Sequence, residues 1–266
     1  MISWQIFSQS VLRVFNNLGP AIRVSLVPYL IAVVAIGVLI GSSVMALMQA
    51  GSDPVAMQAA FANNFPWLQF ILCFVVGIVC FTWTAVAWHR YILLDETPGW
   101  LPPFKGGRIW AYILRTLLIA LIMIPVALVS VIVLGLVGGL IGGGIGQANQ
   151  ALGVGVAFVF VLVAYVIIIV VAYRLYASLP GAAIDNGAGI GDGWRATAGT
   201  WGTMLMLAII TLVISLVCSF VIGWVTGMAP IVGIVLQLVY SWIAALVGVS
   251  IVTTLYGYYV QKRSIG

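Results

Sequence analysis

Six long runs of apolar residues, separated by short polar segments, constrain the fold of this chain more than any other feature. Apolar residues make up 64% of the 266 residues and charged residues only 6%, whereas a soluble domain carries about 25% charged residues. Each run has the roughly 20 residues that a membrane-spanning helix needs. The sequence therefore predicts an all-α integral membrane protein, with one transmembrane domain over 1–266. The predicted spans are about 21–49, 67–94, a third that follows Arg115 and reaches about 137, and then 153–178, 198–225 and 231–259.

The placement of the basic residues predicts the orientation of these spans. All ten Lys and Arg residues fall on one predicted side, and Asp53 is the only charged residue on the other. Cytoplasmic loops are enriched in Lys and Arg, so we expect three helical hairpins with both termini in the cytoplasm. The ten residues are Arg13, Arg23, Arg90, Lys105, Arg108, Arg115, Arg174, Arg195, Lys262 and Arg263.

Composition also excludes several classes of function. The chain has no block of basic residues of the kind that tracks a nucleic-acid backbone, which excludes nucleic-acid binding. Cys73, Cys80 and Cys218 all lie inside apolar runs, and the chain has a single histidine. No pair of residues has metal-ligand spacing. We therefore expect no metal or other cofactor, and cysteines that serve only as small packing residues.

The first 19 residues predict an amphipathic helix that lies in the headgroup region, with Ser3 as its N-cap. The segment opens with polar and aromatic residues and precedes a long apolar run, unlike a signal peptide. The alternative is a water-exposed extension of the first span. The apolar stripe comprises Trp4, Phe7, Val11, Phe15 and Leu18.

The chain also has features of a threefold repeat. Arg90, Arg174 and Lys262 lie 84 and 88 residues apart, and each closes a span that returns to the basic side. A short segment with Trp and Arg precedes each outgoing span, which predicts three parallel units, about 1–94, 95–179 and 180–263, each an interfacial helix plus a hairpin. The alternative is that any six-helix protein with interfacial anchors looks threefold. The three segments contain Trp4 and Arg13, Arg108, Trp110 and Arg115, and Trp194 and Arg195.

Glycines spaced by four fill the segment Gly135–Gly146. This spacing is typical of a close helix contact. It is equally compatible with a fraying helix end, because each glycine costs about 1 kcal/mol of helix propensity.

No predicted span carries an ionisable residue near its centre, which argues against a proton- or ion-coupled carrier and against an embedded metalloenzyme. The polar groups inside the spans serve helix contacts or line a pore. The loop acids are solvated or form a carboxylate site for an enzyme acting on lipid headgroups. The polar groups are Thr82, Ser130, Ser215, Ser219 and Gln237, and the acids are Asp95, Glu96, Asp185 and Asp192.

What remains is a basic, aromatic-rich cytoplasmic surface, the predicted rim. Such a surface attracts anionic lipid headgroups or a membrane-protein partner, and a homo-oligomer is also compatible with it. Within it, His89 is either a titratable switch or an interfacial anchor. We expect a non-enzymatic protein that organises lipid or a partner through this rim. The alternative is a facilitator for a neutral or amphipathic small molecule, with a cavity lined by Thr82, Ser215, Gln237 and aromatic residues. The predicted rim comprises His89, Arg90, Arg108, Arg115, Arg174, Trp194 and Arg195.

Residues 174–199 resemble a known pattern. Arg174, Leu179-Pro180, Asp185 and the run Trp194–Gly199 are similar to an R…LP…acid…W-x-x-T-x-G pattern. This pattern occurs in six-helix bacterial inner-membrane proteins akin to the membrane domain fused to some glycerophosphodiester phosphodiesterases. The resemblance implies a helical fold in the bacterial inner membrane. It does not imply phosphodiesterase chemistry, because this sequence carries no soluble catalytic domain.

Overall fold

The computed structural model describes residues 1–51, 53, 55, 58, 66–184 and 188–265, and these residues form helices and no strand. Six of these helices are long and apolar enough to cross a membrane. The six predicted spans and the all-α class are thus confirmed. In the described residues the elements are α1 (Ile2–Phe15), α2 (Leu18–Ala50), α3 (Trp67–Leu94), α4 (Gly106–Gly146), α5 (Gln150–Tyr176), α6 (Pro180–Ala183), α7 (Ile190–Ala196), α8 (Trp201–Met228), α9 (Pro230–Leu255) and a π-helix (Tyr256–Val260).

Buried side chains are concentrated at one end of the helix bundle, which we call the basic end. Helices α3, α5 and α9 end there, while α4 and α8 begin there. The buried residues of α3 all lie between Cys80 and Leu93, and those of α9, apart from one glycine, lie between Leu246 and Leu255. The large side chain of Trp88 is fully enclosed at this end. The tightest packing therefore coincides with the end that carries the arginines.

Helix α1 is amphipathic, but it packs differently from the sequence expectation. Ser3 is not its N-cap, because it lies inside the helix and its Oγ donates a hydrogen bond to the Thr203 carbonyl at 3.1 Å. Small Ser3 and Ser10 are buried and allow α1 to approach α8 and α9 closely. Of the predicted apolar stripe, Phe7 is buried, whereas Trp4 is 55% exposed. One face of α1 thus contacts the protein, and a second, apolar face stays open.

The predicted interfacial helix is present before α8 but not before α4. Helix α7 precedes α8 as expected. Between α3 and α4 the described residues 95–105 form no helix, because Pro98, Pro102 and Pro103 interrupt them. Arg108 and Arg115 lie within α4 itself. The expectation of three equivalent units is therefore wrong in this detail for the second unit.

The glycine-rich segment is helical to Gly146 and serves as a helix contact. A Cβ at Gly138 would lie 2.6 Å from the Cβ of Phe160, and one at Gly142 would lie 2.6 Å from the carbonyl oxygen of Gly153. Only glycine permits this approach of α4 to α5. The other glycine row of α4, Gly135, Gly139 and Gly143, faces open space, because a Cβ added there would have no atom within 4 Å. One of the two rows is thus a packing face.

Candidate functional site

The seven residues of the predicted rim divide into an enclosed group and an outer group. Three of the seven do not lie on an accessible surface, because each finds its partners inside the bundle. The exposed fraction is 0% for His89, 8% for Arg90 and 3% for Arg174. Arg108, Arg115 and Trp194 are half-buried, and Arg195 is exposed.

His89 is part of the core rather than an interfacial anchor. Its Nδ1 lies 2.8 Å from Thr253 Oγ1, and its Nε2 lies 3.2 Å from the hydroxyl of Tyr112. The Thr253 hydroxyl already donates its proton to the Val249 carbonyl, so it can only accept from Nδ1–H. Tyr112 then donates to Nε2. The geometry describes a neutral imidazole that joins α3, α4 and α9.

Arg174 lies in a cage built by Trp194 and Thr197 of the run Trp194–Gly199 and by Trp201 just after it. Its guanidinium carbon lies 3.7 Å from the ring centre of Trp194 and 4.3 Å from that of Trp201. Its Nε donates to Thr197 Oγ1 at 3.2 Å, and its Nη2 donates to the Trp194 carbonyl at 3.0 Å. Two indole faces and two oxygen acceptors thus compensate the charge inside the bundle. The Trp and Thr of the motif hold the end of α5 against α7 and α8.

Arg90 is neutralised by Glu96 at the edge of the basic end. Arg90 Nε donates to Glu96 Oε2 at 2.9 Å, and Arg90 Nη2 binds the second carboxylate oxygen. Lys105 Nζ lies 3.1 Å from the same carboxylate. Hydrogen bonding from Arg90, supported by Lys105, lowers the pKa of Glu96 to about 2. A carboxylate held by two cations is an ion-pair partner, and it is a poor proton donor for catalysis.

The remaining loop acids do not converge on a carboxylate site in the described residues. Asp192 accepts a hydrogen bond from the backbone N–H of Gly189 at 2.7 Å and one from Arg195 at 2.8 Å. The hydrogen bond from Gly189, followed by the one from Arg195, lowers its pKa. Asp192 lies in the first turn of α7 and is not its N-cap residue. Asp185 lies outside the described residues. Among those described, no three His, Cys, Asp or Glu side chains form a metal-binding group.

Arg115 joins the start of α4 to the segment before α7. Its Nη1 donates to the carbonyls of Ser178 at 2.9 Å and Ala188 at 2.7 Å.

Arg23 is exposed, and its guanidinium lies 5.2 Å from the ring centre of Trp100. Exposed cations and exposed tryptophans thus both occur at the basic end. Besides Arg23 and Arg195, Lys262 and Arg263 are exposed, and the exposed tryptophans include Trp4, Trp100, Trp110 and Trp201.

A cavity of about 700 Å³ lies between α1, α5, α8 and α9. Its walls are largely apolar and aromatic, and its polar groups include Ser215 and Tyr173, whose hydroxyl donates to Thr211 at 3.1 Å. Thr82 and Gln237 do not line it. Thr82 is buried elsewhere, and Gln237 is exposed and donates to Ser241. The three polar residues expected to share a cavity are therefore not brought together.

Sequence reasoning missed two further arginines at this end. Arg13 and Arg263, from the first and last segments of the chain, line one small cavity with Thr253 and Thr254. A separation of 250 residues hides this pairing from any local pattern, and the only signal was that both lie on the basic side.

Comparison of the chain with family models, with curated proteins and with solved structures finds no match.

Proposed function

We propose that this chain is a non-enzymatic protein of the bacterial inner membrane that binds anionic lipid headgroups through the basic end. In this proposal the six spans form three hairpins, and the basic end and both termini face the cytoplasm. The observation that carries it is the surplus of outward cations: Arg90 has a carboxylate partner and Arg174 an aromatic cage, while Arg23, Lys262 and Arg263 remain exposed. Each well-placed cation attracts an anionic membrane surface by about 1 kcal/mol.

The exposed tryptophans support this proposal. Trp100 and Trp110 are 71% and 60% exposed and lie at the same end as the cations. Indole rings favour the headgroup level of a bilayer, where an apolar body and a polar N–H are both accommodated. A membrane-protein partner with an acidic surface would use the same residues, and so would a second copy of this chain with its loop acids.

The test replaces three exposed or half-buried cations of the basic end and leaves the buried arginines intact. In the triple variant Arg23→Gln, Arg108→Gln, Arg195→Gln, we expect weaker retention of phosphatidylglycerol by the purified protein, measured by native mass spectrometry against phosphatidylcholine. The triple Arg→Lys variant at the same positions is the control, because it keeps the charge. Equal retention of phosphatidylglycerol by both variants would contradict the proposal.

The cavity supports a second candidate function, a facilitator for a neutral or amphipathic molecule. Its volume of about 700 Å³ falls in the roughly 300–1,000 Å³ range of ligand pockets. Ala244→Phe would fill part of it, whereas Ala245→Phe, one position along α9, would not, because Ala245 does not line this cavity. We expect Ala244→Phe to reduce binding of a pyrene-labelled fatty alcohol more than Ala245→Phe does. Equal binding by the two variants would contradict this function.

A further inference from the structure

The last turn of α1 and the C-terminal segment meet at the basic end around a small polar cavity. The cavity measures about 50 Å³ and is lined by Arg13 of α1, by Thr253 and Thr254 of α9 and by Arg263 of the C-terminal segment. Lys262 has a positive φ of 59° and turns the chain back, so that the Arg263 N–H donates to the Gly257 carbonyl at 2.9 Å. This turn directs the last arginine of the chain toward the first.

The guanidinium groups of both arginines have more N–H donors than hydrogen-bond acceptors among the described residues. Arg13 Nη1 donates to Thr254 Oγ1 at 2.9 Å, and Arg263 Nη2 donates to the Leu93 carbonyl at 3.3 Å. Each guanidinium carries five N–H donors, and in the described part of the chain these two neutral oxygens are the only partners. None of the described residues that line the cavity is acidic. Two like charges therefore face one cavity, and no described residue supplies a counter-charge there.

The electrostatics of Arg13 agree with this geometry. Burial, followed by repulsion from Arg263, lowers the pKa of Arg13. An anion between the two guanidinium groups would remove the repulsion and supply the missing acceptors. Arg90 and Arg195 already have an anionic partner, because they form ion pairs with Glu96 and Asp192 respectively.

We propose that the guanidinium groups of Arg13 and Arg263 form a binding site for one phosphate group. Guanidinium pairs match the tetrahedral oxygens of a phosphate through charge-assisted hydrogen bonds. A volume near 50 Å³ holds about two water molecules, which suits a single oxyanion and excludes a whole ligand body. The phosphate belongs either to a phospholipid headgroup or to a free phosphate. The site rests on the proposed function, since it assigns to the basic end one defined position for an anion.

The decisive comparison uses two neighbouring residues of the C-terminal segment. Arg263→Gln removes a charge that lines the cavity, and Lys262→Gln removes an equal charge beside it that does not. Both side chains are exposed, so both variants should fold. Dissociation constants for phosphatidylglycerol are measured by native mass spectrometry of the full chain, and inorganic phosphate is titrated separately by thermal shift.

We expect Arg263→Gln to weaken phosphate-group binding by about tenfold, the effect of losing one hydrogen bond to a charged group, and Lys262→Gln by less than about twofold. If Arg263→Gln weakens the binding of phosphatidylglycerol alone, the site binds a lipid headgroup. If it weakens the binding of inorganic phosphate, the site binds free phosphate. If Arg263→Gln and Lys262→Gln affect the binding of each probe equally, the phosphate site is overturned. If both variants also weaken phosphatidylglycerol binding, the proposed function stands, because diffuse charge at the basic end then binds the headgroups. If neither single variant nor the triple variant at Arg23, Arg108 and Arg195 weakens phosphatidylglycerol binding, both the phosphate site and the proposed function are overturned.

Discussion

At the scale of single residues, the guanidinium of Arg174 illustrates how a charge is kept inside an apolar bundle. The side chain is 3% exposed, and its guanidinium lies over the rings of Trp194 and Trp201, which are inclined at 86° to each other. A weakly hydrated guanidinium can contact both ring faces at low desolvation cost, while an ammonium group is compact and strongly hydrated. The charge therefore fastens the end of α5 to the start of α8.

This cage predicts that Arg174→Lys is destabilising even though it keeps the charge. We expect the free energy of unfolding to fall by an amount on the order of 2 kcal/mol, because the cation–π contacts are desolvated. The measurement is thermal unfolding of the detergent-solubilised protein, followed by tryptophan fluorescence. Arg195→Lys is the control, since Arg195 is exposed and its ion pair with Asp192 is a surface pair. Equal melting temperatures for the two variants would show that the cage contributes nothing.

The ion pair of Glu96 predicts a stability effect that depends on pH. Its pKa falls from 4.5 to about 2 on folding, so the unfolded chain binds the proton first as the pH drops. The stabilisation is fully present above about pH 4.5 and is lost as the pH falls toward 2. Wild type should therefore be more stable than Glu96→Gln at pH 7, and the difference should shrink across this window. Melting temperatures from pH 7 to 3 measure it, and a constant difference would contradict the ion pair.

At the scale of helices, the close contact of α4 with α5 depends on one row of glycines. Gly142 faces the backbone of Gly153, whereas Gly143, the next residue, faces open space. The two positions share residue type, helix and depth, and they differ only in what lies opposite. They therefore provide a matched pair of substitutions.

We expect Gly142→Leu to destabilise the protein by about 1–3 kcal/mol through overpacking. Gly143→Leu should have a small effect of opposite sign, because leucine has the higher helix propensity. Thermal unfolding of the two variants in the same detergent makes the comparison. If Gly143→Leu proved as damaging as Gly142→Leu, the packing of α4 on α5 would be assigned to the wrong row.

The helices also show which features can be predicted from the sequence. The spans follow from local hydropathy, so the predicted bounds of α3 coincide with the observed Trp67–Leu94. The burial of His89 does not follow from local pattern, because its partner Thr253 lies 164 residues away. The motif at Trp194 was visible in the sequence, but its role as a cage for Arg174 needed the fold. Polar groups that pair across the bundle are the part that periodicity does not reveal.

At the scale of the whole molecule, packing and charge are both concentrated at the basic end. The halves of α3 and α9 that reach it are buried, and their other halves are largely exposed. Exposed apolar residues on those halves suit a hydrocarbon environment. The molecule is thus asymmetric along its helices, with a closely packed basic end and an exposed apolar region at the other end.

This asymmetry predicts the orientation in the membrane. We expect a fluorescent protein fused after residue 266 to lie in the cytoplasm, because the basic residues favour retention on that side. A cysteine introduced at Asp53 should react from the outside of intact cells with a membrane-impermeant maleimide, while one introduced at Lys262 should not. The reverse labelling pattern would contradict the proposed orientation.

Selective contact with anionic headgroups is tested most directly by spin-labelled lipids in vesicles that contain the unmodified protein. The measured quantity is the motionally restricted fraction of labelled phosphatidylglycerol compared with labelled phosphatidylcholine. The outward cations of the basic end predict a larger restricted fraction for phosphatidylglycerol, with a difference that narrows as salt shortens the screening length to below about 8 Å. Equal restricted fractions for the two lipids at low salt would contradict headgroup binding by the basic end.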